Sequence, residues 1–292
     1  MTETLDSAHT TDVLAVVSQS GPTVTFFDAA THDVLDVLEV PAEPHELCFD
    51  PARRLLYASI TYKSGYYHAN SGRASELVVI DADARRVVDT VDLAPDHAPH
   101  GLGLDPSGEL LWVSVEATAT ESGALIALDA TTHERVRRIS VDAPGPHWFA
   151  LTPDGRRAYS ANKEAPFVSV VDLESGALTA RVEVPGSEGI AVSRDGRHVY
   201  VAATKGEFGP GPVTGAGVRM IDTATDRVVR TLPTRDTVFP VHVTSGGLVL
   251  AGELRPAEGP DGRPLGTQGP GLLHVYDEEG EERGRSRWAP SR

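Results

Sequence analysis

The feature that most constrains the fold is a repeated unit, and a period of roughly 50 residues with four short strands is the mark of propeller blades. One apolar run ending in Asp recurs six times: Val24 to Asp28, Leu77 to Asp81, Leu125 to Asp129, Val168 to Asp172, Val218 to Asp222 and Leu273 to Asp277. Each run leads through a short turn into a further β-type run, as in Arg135 to Val141. Two earlier runs in each unit are joined by tight turns such as Asp105-Pro106-Ser107-Gly108, Pro153-Asp154-Gly155 and Arg194-Asp195-Gly196. Pro presets φ and Gly accepts positive φ there, so hairpins follow. The short Asp side chains are expected to hydrogen-bond their own turn backbone. The pattern predicts an all-β chain: a disordered tail over 1–12, then a single propeller domain over 13–292. Six four-stranded blades are expected, with seven as the alternative. First strands number five and third strands six, so the N-terminal blade is either incomplete or closed by the C-terminal stretch Trp288 to Arg292.

Composition narrows the partners. A net charge of −16 repels phosphate backbones and anionic lipids, which disfavours nucleic-acid and membrane binding. A single cysteine, Cys48, excludes an internal disulfide; in a column of small residues it is expected to be buried and inert. No basic-then-apolar leader and no long apolar span is evident, so a cytoplasmic location is expected.

The stretch Pro99-His100-Gly101-Leu102-Gly103-Leu104-Asp105-Pro106-Ser107-Gly108 resembles the YVTN-type β-propeller repeat, as do Val199-Tyr200-Val201-Ala202 and Val170-Val171-Asp172. The resemblance runs from about Val13 to Trp288 and implies the propeller fold. Propellers of this kind include lactonases, virginiamycin B lyase, surface-layer modules and non-enzymatic binding proteins, so fold analogy does not choose among functions. Similarity to the lyase implies a functional His in a Pro-His opening and a Glu at the end of the next strand, to which His100 and Glu116 correspond. Glu116 comes one residue late, which predicts a side chain on the opposite strand face unless a bulge resets it.

The repeat register also groups residues. The position just before each first strand holds His45, His100, His147, Glu188 and Phe239 in successive units. Three imidazoles and a carboxylate in equivalent places are expected to line one mouth of the channel. They suit acid–base chemistry, or alternatively a divalent metal such as Zn, Fe or Mn. The ends of the second strands add Gln19, Tyr62, Lys63, Glu116, Asn162, Lys163, Lys205 and Glu253, and the three lysines of the chain all fall in this set. Tyr66, Tyr67 and His68 lie in a loop that could cover a ligand. His242 breaks a column of small residues and reads first as a core histidine, second as a channel group. His9, His32, His97, His133, His198 and His274 read as surface or turn residues. No Gly-x-Ser-x-Gly elbow is present, which disfavours a covalent Ser nucleophile.

These readings make His45, His100, His147, Glu188 and Glu116 the candidate catalytic residues. Lys63, Tyr62, Tyr66, Tyr67, His68, Lys163, Lys205, Glu253 and His242 are the candidate substrate contacts. The expected function is a small-molecule enzyme of lyase, cyclase or isomerase type. A non-catalytic ligand- or protein-binding propeller and a lactone hydrolase are the alternatives.

Overall fold

A computed structural model describes residues 12–18, 20–65, 70–204, 215–258 and 264–288. Every regular element among them is a strand, and the strands form six blade sheets. Blade I has three strands, Val13–Val17, Thr23–Asp28 and Val34–Glu39. Blade II has four: Leu47–Asp50, Leu55–Ser59, Glu76–Asp81 and Arg86–Asp92. Blade III comprises His97–Leu104, Leu110–Glu116, Ala124–Asp129 and Arg135–Ser140. Blade IV comprises Pro146–Leu151, Arg157–Asn162, Phe167–Asp172 and Leu178–Glu183. Blade V comprises Ser187–Val192, His198–Ala203, Gly217–Asp222 and Arg227–Pro233. Blade VI comprises Val238–Val243, Leu248–Glu253, Gly271–Asp277 and Glu282–Trp288, with a small hairpin of Pro256–Glu258 and Pro264–Gln268 beside it. The expected six-bladed propeller is therefore the fold, with six blade sheets among the described residues.

Trp288 pairs with Gly271 as part of the fourth strand of blade VI, and blade I has three strands among the described residues. Residues 289–292, the rest of the stretch proposed to complete blade I, lie outside the described residues. Contacts cluster in two compact units, Met1–Ala98 and Pro99–Arg292. In the first unit, Val24 and Phe26 of blade I pack with Leu56, Ala58, Val78 and Ile80 of blade II. In the second, apolar residues fill the space between blades III and IV, IV and V, and V and VI.

The repeated Asp does the structural work expected of it. Asp129 Oδ1 accepts from the amides of Thr131 and Thr132, each at 2.8 Å, and Asp28 does the same for Ala30 and Thr31. Four residues after the Asp the chain adopts positive φ at His32, Arg85, His133, Gly176 and Asp226. His32 and His133 are thus turn residues, as their position suggested.

The third residue of the second strand is aromatic and buried in blades II to V: Tyr57, Trp112, Tyr159 and Tyr200. Two of these rings also tie neighbouring blades by a polar tip. Tyr159 donates to Asp226 of blade V at 2.5 Å, and Tyr200 donates to the carbonyl of Glu278 in blade VI. Burial and the Asp226 carboxylate push the Tyr159 phenol up from its ordinary value.

Candidate functional site

The first strands carry the site because their pairing is broken at one place. In blade IV, Pro146 pairs with Asn162 and Phe149 with Ser160, so His147 and Trp148 together oppose Ala161. In blade V, Glu188 and Gly189 oppose Ala202. In blade VI, Phe239 and Pro240 oppose Gly252. Such two-against-one bulges re-aim side chains. Here they fall on the very column that the repeat register picked out.

The first strands of blades III and IV also lie unusually close. A Cβ on Gly101 would stand 2.9 Å from the carbonyl oxygen of His147 and 3.1 Å from Cα of Trp148, so only glycine fits. Ser114 fastens this approach: its Oγ accepts from the Gly101 amide at 2.9 Å and donates to the His147 carbonyl. The result is an imidazole pair. The rings of His100 and His147 have centroids 4.4 Å apart, and a nitrogen of one lies within 4.8 Å of a nitrogen of the other.

Each imidazole is backed by a carboxylate. His100 Nε2 lies 3.2 Å from Glu116 Oε1, and His147 Nδ1 lies 3.0 Å from Glu188 Oε2. Lys163 Nζ donates to Glu116 Oε1 at 2.9 Å and stands 3.2 Å from His100 Nε2. All five side chains are withdrawn from water: His100 is 0% exposed, Glu188 1%, His147 3% and Glu116 4%, and the Lys163 side chain is 4% exposed. Burial alone would raise the Glu116 pKa, but the His100 hydrogen bond and the Lys163 ammonium outweigh it and hold the carboxyl well below the usual carboxylate range. Glu116 therefore remains an acceptor, orienting His100, with Lys163 as its counter-ion. The arrangement can hold, give and take protons on imidazole nitrogens a few ångströms apart.

Glu116 corrects the strand-face expectation. Its one-residue delay does not carry it away from His100; the two side chains meet. The structure thus brings together His100, His147, Glu188, Glu116 and Lys163 from the predicted set. His45 lies in the first unit. Its amide donates to the Ser59 carbonyl at 2.8 Å, its Nδ1 is 3.3 Å from Glu46, and its ring meets Tyr62 edge-on at 6.5 Å. Tyr62 is buried, whereas Lys63 is exposed. Asn162 is a structural residue: its amide nitrogen donates to the Phe167 carbonyl and to Ser169 Oγ, both at 2.9 Å. Gln19, Tyr66, Tyr67, His68 and Lys205 lie outside the described residues.

Three sequence readings are overturned. His242 is exposed on its strand, not a core residue. Cys48 is half-buried, not buried. His274 is buried, not a surface residue: its Nε2 is 2.8 Å from Glu253 Oε2 and its ring stacks on Tyr276 with centroids 6.0 Å apart. Glu253 also accepts from Arg255 at 2.7 Å, so it belongs to a blade VI cluster of its own. Burial opposes ionisation of Glu253, but Arg255 and His274 outweigh it and keep its pKa below the ordinary value. The sequence signal for His274 was parity, since Leu272, His274 and Tyr276 alternate onto one buried face.

No known family profile matches the chain, and no curated protein matches it. Solved structures do match. Hydrazine synthase of Kuenenia stuttgartiensis superposes with a TM-score of 0.69 at 18% identity, over 95% of this chain and 81% of that one. At that identity the likeness concerns the fold. The class defined by blades and comparison is the β-propeller.

Proposed function

We propose that the chain is an enzyme acting on a small organic molecule by proton transfer, with His100, His147, Glu116, Glu188 and Lys163 as its reaction centre. One observation carries the reading: five ionisable side chains, each less than 5% exposed, form a connected group where an apolar filling would be cheaper. His100 and His147 exchange protons with the substrate, Glu116 and Glu188 orient them, and Lys163 balances Glu116. Lyase, cyclase or isomerase chemistry suits this set, because it moves protons without a covalent nucleophile. The net charge of −16 supports a small-molecule partner over a nucleic acid.

The near-zero exposure of His100 and Glu188 favours a second reading, a propeller that holds a ligand without transforming it. Incubating the chain with small-molecule extracts and following them by mass spectrometry separates the two. The enzyme reading expects one compound to be depleted, with an isomer or its fragments formed in step, and expects His100→Ala and Glu116→Gln variants of native circular dichroism to lose that conversion. A compound retained unchanged, or depleted equally by both variants, would overturn it.

A further inference from the structure

We propose that His100 and His147 together bind one first-row divalent metal ion, with water or substrate in the remaining positions. The inference rests on the reading of this group as a reaction centre and gives its two imidazoles a ligand's role in place of direct proton exchange. Three observations point to it. One nitrogen of each imidazole lies within 4.8 Å of the other's, and metal–nitrogen bonds of about 2.0–2.1 Å bring such a pair onto one ion with a small rotation of the rings. Each imidazole also stands beside a carboxylate: His100 Nε2 is 3.2 Å from Glu116 Oε1, and His147 Nδ1 is 3.0 Å from Glu188 Oε2. A histidine ligand backed by a carboxylate is the usual outer shell of a metal centre, since the carboxylate sets the tautomer and makes the imidazole more basic. Charge is the third. The group holds two carboxylates, Glu116 beside His100 and Glu188 beside His147, but one ammonium, Lys163, which pairs with Glu116, and a cation at the imidazoles would balance the remainder.

The rigid approach of the two strands at Gly101 and Ser114 preorganises the pair. Nitrogen ligands select Zn²⁺, Ni²⁺ or Cu²⁺ over Mg²⁺ or Ca²⁺.

The test uses the full chain produced without an affinity tag. After dialysis against Co²⁺ and, separately, Zn²⁺, bound metal is measured by mass spectrometry, and the Co²⁺ form by its visible absorption. The expected result is one ion per chain, with ligand-field bands in the Co²⁺ form. His100→Ala and His147→Ala should each weaken binding at least ~10-fold, and Glu188→Gln should weaken it ~10- to 100-fold. Metal bound no better by the native chain than by the His100→Ala/His147→Ala double variant would overturn the proposal. Should the variants fail to fold, the native chain still decides it, because absence of the Co²⁺ bands is enough to reject the site. Conversion of a small molecule by a native chain that takes up no metal would reject the metal and leave the enzyme reading standing, whereas stoichiometric metal with no conversion would do the reverse.

Discussion

Lys163 is buried on the condition that Glu116 is beside it. Removing either charge leaves the other in a site that water does not reach, which costs about 3–5 kcal/mol, whereas removing both leaves no orphan. Lys163→Met is therefore expected to lower stability by ~3 kcal/mol and to raise the Glu116 pKa. Glu116→Gln should cost a similar amount, and the double variant clearly less than the two together. Urea denaturation of the four proteins measures this, and additive losses would mean that the two charges do not act as a pair. Lys163 was legible in the sequence because the three lysines all fall at second-strand ends. The imidazole column was legible because duplicated units place His100 and His147 alike. Parity within a strand was the part passed over. Val241 is buried, so His242, its neighbour, faces outward. His274 shares its parity with Leu272 and Tyr276, so it faces inward.

At the scale of the strand, bulges re-aim the side chains of the candidate column. The one-residue delay of Glu116 against the lyase pattern predicted the opposite strand face, yet its side chain meets His100. In blades IV to VI the pairing slips by one residue at the site itself, and nothing in composition announces it. Glycine is the nearest thing to a signal. Gly189 lies inside the blade V bulge, and a Cβ there would stand 2.0 Å from the Phe239 carbonyl oxygen and 2.7 Å from the Val241 amide nitrogen. Both are backbone atoms of the next blade and cannot rotate aside. Gly189→Ala is thus expected to force the first strands of blades V and VI apart and to lower stability by about 3 kcal/mol. Calorimetry measures the loss. Gly103→Ala is the comparison, since its Cβ would meet only the Phe149 ring at 3.4 Å. Equal effects of the two substitutions would show that the close approach at Gly189 is not what holds these strands.

Across the molecule, the repeat predicts an N-terminal blade that is incomplete or closed by the C-terminal stretch, and the first unit contains two blades of unequal strength. Blade II has four strands, and Leu77, Val78, Val79 and Ile80 of its third strand are all 0% exposed. Blade I has three among the described residues, with Val13, Leu14 and Val16 of its first strand and Val34 and Val37 of its last exposed. Leu55–Ser59 of blade II is flanked by strands on both sides, whereas its counterpart Val13–Val17 pairs, among the described residues, with Thr23–Asp28 alone. Local opening costs least where few apolar contacts and few ladder bonds must break. Amides of Val13–Val17 are therefore expected to exchange with deuterium at least ~10-fold faster than those of Leu55–Ser59, a gap of about 1.4 kcal/mol in opening free energy. Mass-spectrometric exchange resolved to these two segments reads the difference directly. Equal protection would mean that another segment completes blade I in solution, the closed alternative that the count of first and third strands left open.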